Sequence, residues 1–184
     1  MTSNNRDVNV LIMAGGEASR LHGIPKPALK VCGDPVVERV TREARRVFNG
    51  EIYVTVSLRD TSLIGRISSV EWIVTWGAGY SRDLAYSLHR TGLPVLVLPG
   101  DMPFLDHRFL RRIVDEAWET PWSVVSITVP KGCSGLEGKE GYTGIGFFKG
   151  SDLSNYGSLD ICGYPQLFDI DTMRDYYKAL GECL

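Results

Sequence analysis

Apolar runs alternate with helical periods along the 184 residues, and this alternation predicts a three-layer α/β/α sandwich on a mainly parallel sheet. The run 94–99 (PVLVLP) is apolar without a break, as expected of a strand covered on both faces. The run 8–14 (VNVLIMA) ends on Gly15-Gly16, which reads as a buried strand feeding a loop. A chain of this length buries a core without staples, so residues 1–184 are expected to form one domain.

The elements follow in order. After the first strand the pattern turns helical from Pro35, with Val36, Val37, Val40, Ala44, Val47 and Phe48 on one face and a Glu38–Arg42 pair on the other. Asn49-Gly50 stops that helix, and residues 52–57 (IYVTVS) read as a strand. A short helix is expected over 61–67, a third strand over 72–75 and a helix over 81–90. Beyond the 94–99 strand, Asp106 is placed to cap a helix whose buried stripe is Phe109, Ile113, Val114 and Ala117. Residues 123–129 form another strand, and the glycine-rich 131–141 reads as a mobile loop. Strands over 142–148 and 166–170 and a helix over 172–180 complete the chain.

Composition narrows the function. A formal net charge of -2 without a long basic run argues against nucleic acid, and the arginines of 42–46 read as a solvated helix face. Apolar stretches fall far short of a membrane span, and the first nine residues lack a signal-peptide core. Cys32, Cys133, Cys162 and Cys183 contain no Cys-x-x-Cys pair, so ordinary reduced cysteines in a cytoplasmic protein are expected. The histidines have no ligand-like spacing to them, which argues against zinc.

Ligands of such sheets sit at the carboxyl ends of the strands, so the loops near Ala14, Thr75 and Pro99 carry the candidate chemistry. Gly15 and Gly16 after a strand let backbone N–H groups cradle phosphates, with Arg20 as a fork and Lys26 as a point charge nearby. The alternative is a glycine turn with surface charges. The loop is neither a Walker A loop nor a Gly-x-Gly-x-x-Gly fingerprint. Asp101, after Gly100 at the end of a buried strand, is placed to hold Mg²⁺ against a triphosphate, the alternative being a turn residue. Gly77 and Gly79 would let backbone read a base edge. Asp83 is a candidate for that reading, or else a helix-surface residue. Asp171 is an N-cap candidate, and Asp169 lies two residues earlier, on the same side of a strand; one of them would supply a second carboxylate.

Ala14-Gly15-Gly16-x-x-x-Arg20, Lys26-Pro27 and Gly33-x-Pro35 resemble the N-terminal signature of the MobA-like nucleotidyltransferases. Gly100-Asp101-Met102-Pro103 resembles that family's metal-binding motif, and Asp169-Ile170-Asp171-Thr172 with Asp175 its late acidic element. Gly77-x-Gly79-Tyr80-x-x-Asp83-Leu84 and Gly144-Ile145-Gly146 are similar to the archaeal branch that acts on adenosylcobinamide phosphate. Ala18 and Ile24-Pro25 depart from the pattern without removing a charge.

The resemblance implies a Rossmann-like fold of the nucleotide-diphospho-sugar transferase type. It also implies Mg²⁺-dependent transfer of GMP from GTP to a phosphorylated small molecule, with pyrophosphate released. In that chemistry Arg20 holds the leaving pyrophosphate, Lys26 the α-phosphate, and Asp101 the metal, helped by Asp169 or Asp171. Ala14, Gly15, Gly16, Gly77, Gly79, Asp83 and Gly100 line the nucleotide. Molybdopterin guanylyl or cytidylyl transfer and transfer to a sugar phosphate use the same parts, and a non-catalytic nucleotide-binding protein is a further alternative. The resemblance leaves monomer and homodimer both open.

Overall fold

A computed structural model of the chain describes residues 7–15, 20–133 and 140–183. Gly16, Ala18 and residues 134–139 of the expected loop lie outside them. The first strand, β1 (Asn9–Met13), is followed by two small hairpins, β2 (Arg20–Leu21) with β3 (Ile24–Pro25) and β4 (Lys30–Val31) with β5 (Asp34–Pro35). Each turns through two residues of positive φ, His22-Gly23 and Cys32-Gly33, the left-handed pair that a two-residue hairpin requires. Between them Lys26–Ala28 makes one turn of 3₁₀ helix.

There follow α1 (Val36–Arg45), β6 (Ile52–Ser57), β7 (Glu71–Thr75), α2 (Tyr80–Thr91), β8 (Val95–Pro99), α3 (His107–Trp118), β9 (Val124–Val129), β10 (Gly141–Phe148), β11 (Tyr156–Asp160) and α4 (Met173–Gly181). Seven strands form one sheet in the order β11-β9-β10-β8-β1-β6-β7. All run parallel except β10, which is antiparallel to both β8 and β9.

Alternation along each strand distributes the core over two faces. Val10 and Ile12 join Val37, Val40, Phe109 and Ile113 under α1 and α3, while Leu11, Met13, Val95 and Val97 meet Leu84 and Leu88 of α2. The helix stripes expected from periodicity are buried: Val36, Val37, Val40 and Ala44 in α1, and Phe109, Ile113, Val114 and Ala117 in α3. Asp106 caps α3 by accepting from the N–H groups of Arg108 and Phe109. The far end of α3 is closed by Lys149, whose ammonium donates to the carbonyls of Ala117 and Thr120 at 2.9 and 2.7 Å.

Several expectations are corrected. Residues 61–67 form successive turns and no helix, with Ile64 N–H donating to Thr61 and Arg66 N–H to Leu63. Residues 166–170 are not a strand: Pro165–Leu167 is a single 3₁₀ turn, and Phe168 packs on Phe104 with ring centroids 5.8 Å apart. The edge strand is β11 instead. Arg42 reaches Asp34 at 2.8 Å on the exposed face of α1, so its partner comes from β5.

The expectation of reduced cysteines is also overturned. Cys32 is bonded to Cys183, and Cys133 to Cys162, so all four are paired. The first bond ties the β4–β5 turn to the chain beyond α4, and within α4 the Tyr176 hydroxyl also donates to the Lys30 carbonyl at 3.0 Å. Among the described residues no helix is long and apolar enough to cross a membrane.

Candidate active site

Successive strands step from β1 to β6 and β7, and the chain then returns to place β8 on the other side of β1. The crevice of a doubly wound sheet opens where the order reverses, here beyond the carboxyl ends of β1 and β8. Met13 and Pro99 are register partners, so Ala14-Gly15 and Gly100-Asp101 leave the sheet side by side. Backbone joins the two loops, Gly100 N–H donating to Met13 C=O at 3.0 Å, while Ala14 N–H donates to the side-chain hydroxyl of Thr55 in β6 at 3.2 Å. Those two N–H groups serve the scaffold.

Close packing explains two of the glycines. A Cβ on Gly100 would stand 3.0 Å from the Met13 carbonyl oxygen, and one on Gly15 2.9 Å from Ser57 N.

Three charged side chains meet at this rim. Lys26, in the 3₁₀ turn between the hairpins, is 7% exposed at its side chain, and its ammonium donates to Asp171 Oδ1 at 2.7 Å. The same Nζ lies 3.9 Å from Asp101 Oδ2. A buried ammonium requires such partners, and two prolines, Pro25 and Pro27, stiffen the backbone that presents it. Asp171 is brought in by the segment before α4, where the Ile170 N–H donates to the Asp101 carbonyl at 3.1 Å.

Asp171 does not cap α4. Thr172 does, in a capping box with Asp175, whose carboxylate also accepts from the Asp171 N–H at 3.2 Å. The Asp171 side chain therefore faces the site with Lys26. Asp169 and Asp171 do not share the face of a strand, because 166–170 is not one, and the carboxylates that meet the lysine are those of Asp171 and Asp101. Arg20 is described through its backbone, which pairs with Pro25.

The second wall is built from α2. Gly77 and Gly79 have φ of +66° and +104°, conformations that suit glycine. Asp83 is neither on the helix surface nor facing open solvent. It is 5% exposed, and its Oδ1 accepts from the Ala78 N–H at 3.3 Å, so it braces the glycine loop from within.

Tyr80 and Gly144, both named in the resemblance motifs, complete the wall together with Tyr142, which no pattern singled out. The Tyr80 hydroxyl donates to the Gly144 carbonyl at 3.2 Å and lies 3.4 Å from the Tyr142 hydroxyl. Partial desolvation of the hydroxyl where it meets β10, and secondarily the neighbouring Tyr142, hold the Tyr80 phenol above its usual range, although the residue as a whole is 43% exposed. Partial desolvation raises the Tyr142 phenol too, against the opposing hydrogen bond of Tyr80, though half of that residue is exposed. Both phenols are neutral at physiological pH. Gly144 has φ +86° at a register shift in β10 and rests on Pro99, the residue before Gly100.

Among the described residues no group of three or more acidic, histidine or cysteine side chains stands ready for a metal. Asp101 and Asp171 supply two carboxylates. That donor set fits a hard divalent cation whose other ligands are phosphate oxygens and water.

The family model described as "MobA-like NTP transferase domain" matches residues 10–173. The chain is 29% identical over 115 residues to the adenosylcobinamide-phosphate guanylyltransferase of Methanocaldococcus jannaschii, a match covering 59% of each chain. It is 26% identical over 129 residues to the bifunctional protein GlmU of Cupriavidus pinatubonensis, covering 67% of this chain and 28% of that one. The chain thus aligns with less than two thirds of either relative's length. The fold is similar to that of 2-C-methyl-D-erythritol 4-phosphate cytidylyltransferase from Thermus thermophilus, with a TM-score of 0.71, 19% identity, and coverage of 97% of this chain and 99% of the other.

Proposed function

The chain belongs to the MobA-like NTP transferase family and is a nucleotidyltransferase; from that premise we propose that it transfers GMP from GTP to adenosylcobinamide phosphate, releasing pyrophosphate. The observation that carries the transfer chemistry is the meeting of Lys26, Asp101 and Asp171 at the switch point of the sheet. The choice of acceptor rests on the archaeal guanylyltransferase, whose similarity spans 59% of the chain.

In this reading residues 1–184 act as one domain. An oxygen of the acceptor phosphate attacks the α-phosphorus of GTP as the bond from that phosphorus to the oxygen bridging to the β-phosphate breaks, and pyrophosphate leaves with the bonding pair. The attacking phosphate is already ionised, so no general base is needed, and positioning with charge neutralisation supplies the acceleration. Asp101 and Asp171 would hold Mg²⁺, which when bound draws charge from the phosphate oxygens. Lys26 neutralises the α-phosphate, and Arg20 the departing pyrophosphate. Gly15 and Gly16 carry the chain past the phosphates, with Ala14 and Gly100 fixing the two loops behind them. Gly77 and Gly79 bring backbone to the base, and Asp83 keeps that loop in shape. Asp169 takes no metal role in this scheme.

A nucleoside triphosphate donor favours a cytoplasmic setting, where the two disulfides are an uncommon feature. The test is pyrophosphate release by the purified protein with Mg²⁺ and GTP, with and without adenosylcobinamide phosphate, against ATP, CTP and UTP. Release that requires both GTP and the corrinoid is the expected result. Turnover with a molybdopterin or sugar phosphate in its place would reassign the acceptor. Failure to bind any nucleotide would overturn the reading.

A further inference from the structure

The geometry points to Lys26 as a built-in counter-cation of the Asp101–Asp171 pair, so that a divalent ion enters this site only together with the phosphates of a nucleotide. The inference rests on the nucleotidyltransferase reading for the second half of that statement. Its first half stands on the contacts alone.

Two carboxylates, carried by the loop after β8 and the segment before α4, face one ammonium at 3.9 and 2.7 Å. That ammonium is 7% exposed, is presented by a turn between two prolines, and has Asp171 within hydrogen-bond distance. Its place is set by a folded backbone, since the Leu29 N–H closes the turn by donating to the Lys26 carbonyl at 3.1 Å. A free divalent ion arriving at Asp101 and Asp171 would meet a positive charge already seated against them. In a partly buried site such like-charge repulsion is weakly screened. A nucleoside triphosphate changes the balance. Its phosphates offer Lys26 a second anionic partner and bring oxygens to complete the metal's shell, so lysine and metal are then both satisfied. The consequence is an order of loading: metal and nucleotide arrive as one unit, and free metal leaves the resting site untouched.

Mn²⁺ binding to the nucleotide-free protein, followed by loss of its free electron paramagnetic resonance signal, reads this directly. Lys26→Met should bind Mn²⁺ roughly tenfold or more tightly than wild type, because the opposing charge is gone. Lys26→Arg should stay close to wild type, and adding Asp171→Asn to Lys26→Met should abolish the gain. Equal Mn²⁺ affinity in wild type and Lys26→Met would overturn the inference. A second measurement needs no variant. In wild-type protein labelled with ¹⁵N-lysine, the ammonium resonance of Lys26 should hold still on adding Mg²⁺ alone and move on adding Mg²⁺ with GTP. A shift with Mg²⁺ alone would also overturn it. If the nucleotide reading itself is wrong, GTP moves nothing while the Lys26→Met gain persists, which separates the two failures.

Discussion

Lys26 and Asp171, joined at 2.7 Å, are 145 residues apart in the chain, and their contact closes the same rim on which Asp101 stands. Asp101 can be changed to Asn without stranding the lysine, because Asp171 remains its nearer partner. Asp101→Asn should therefore keep its thermal midpoint close to wild type while losing about 10²-fold or more in turnover, as for other groups that stabilise developing charge. Steady-state kinetics beside a melting curve checks both halves. Near-normal turnover would remove Asp101 from the metal.

Gly144 should tolerate no side chain. Its φ is +86°, and a Cβ would come 2.8 Å from Pro99 Cγ. Gly144→Ala is expected to cost about 1–3 kcal/mol, the range for a forced left-handed residue. Because Pro99 leads into Gly100-Asp101, turnover should fall further than lost stability explains. Chemical denaturation and kcat on the same preparation would show it.

Cys32 and Cys183 close a loop with a sequence separation of 151, against 29 for Cys133 and Cys162. In the chain-entropy account the longer loop constrains the unfolded chain more. Cys183→Ser should lower stability by about 2–5 kcal/mol. Cys162→Ser should cost less, and reductant should destabilise wild type more than either variant. Urea midpoints with and without dithiothreitol decide the matter.

Glu43 links α1 to α3. Its Oε2 accepts from both the Nδ1 and the backbone N–H of His107, at 2.8 and 3.0 Å, and Arg46 reaches Oε1. Burial pushes the Glu43 carboxyl up, but the two His107 hydrogen bonds and the Arg46 charge outweigh it and hold the carboxyl below its usual range. A depressed carboxyl contributes stability that is full above the ordinary glutamate value and is lost as pH falls through the lower folded value. Glu43→Gln should therefore destabilise the protein at neutral pH by about 1 kcal/mol, with the gap from wild type closing in acid. A gap that persists at low pH would assign the effect to packing.

Much of the scaffold is legible in the sequence where periodicity has length to work with. α1, α3, β1 and β8 are covered by long apolar patterns, and Asp106 caps α3 as its position suggests. β2 to β5 are two residues each, too short for any period, and their trace is confined to the turn pairs His22-Gly23 and Cys32-Gly33. β11 escaped because Tyr156 to Asp160 is mostly exposed and reads as polar loop. Residues 166–170 misled in the opposite sense, since Leu167, Phe168 and Ile170 pack against the core without a ladder.

In the site, Lys26 and Asp101 stand out individually, but which further acidic residue meets the lysine depends on folding. Thr172 and Asp175 take the capping work and leave Asp171 to the lysine. The cysteine pairs are invisible for the same reason: spacing along a chain says nothing of distance across it. Of the two readings of Asp83, the helix-surface one fails because its burial depends on the loop it braces.

The reversal of β10 divides the labour of the chain. Running against its neighbours, that strand begins at the catalytic rim, where a parallel strand would end. Early in the strand, Tyr142 and Gly144 therefore meet Tyr80, and Gly144 rests on Pro99, on the side of β8 away from β1. Lys26 and Asp101 come from the chain before residue 102, and Asp171, Tyr142 and Gly144 from the chain after it. Turning one strand around thus lets the later half of the chain reach this rim from the start of β10 as well as from the segment before α4.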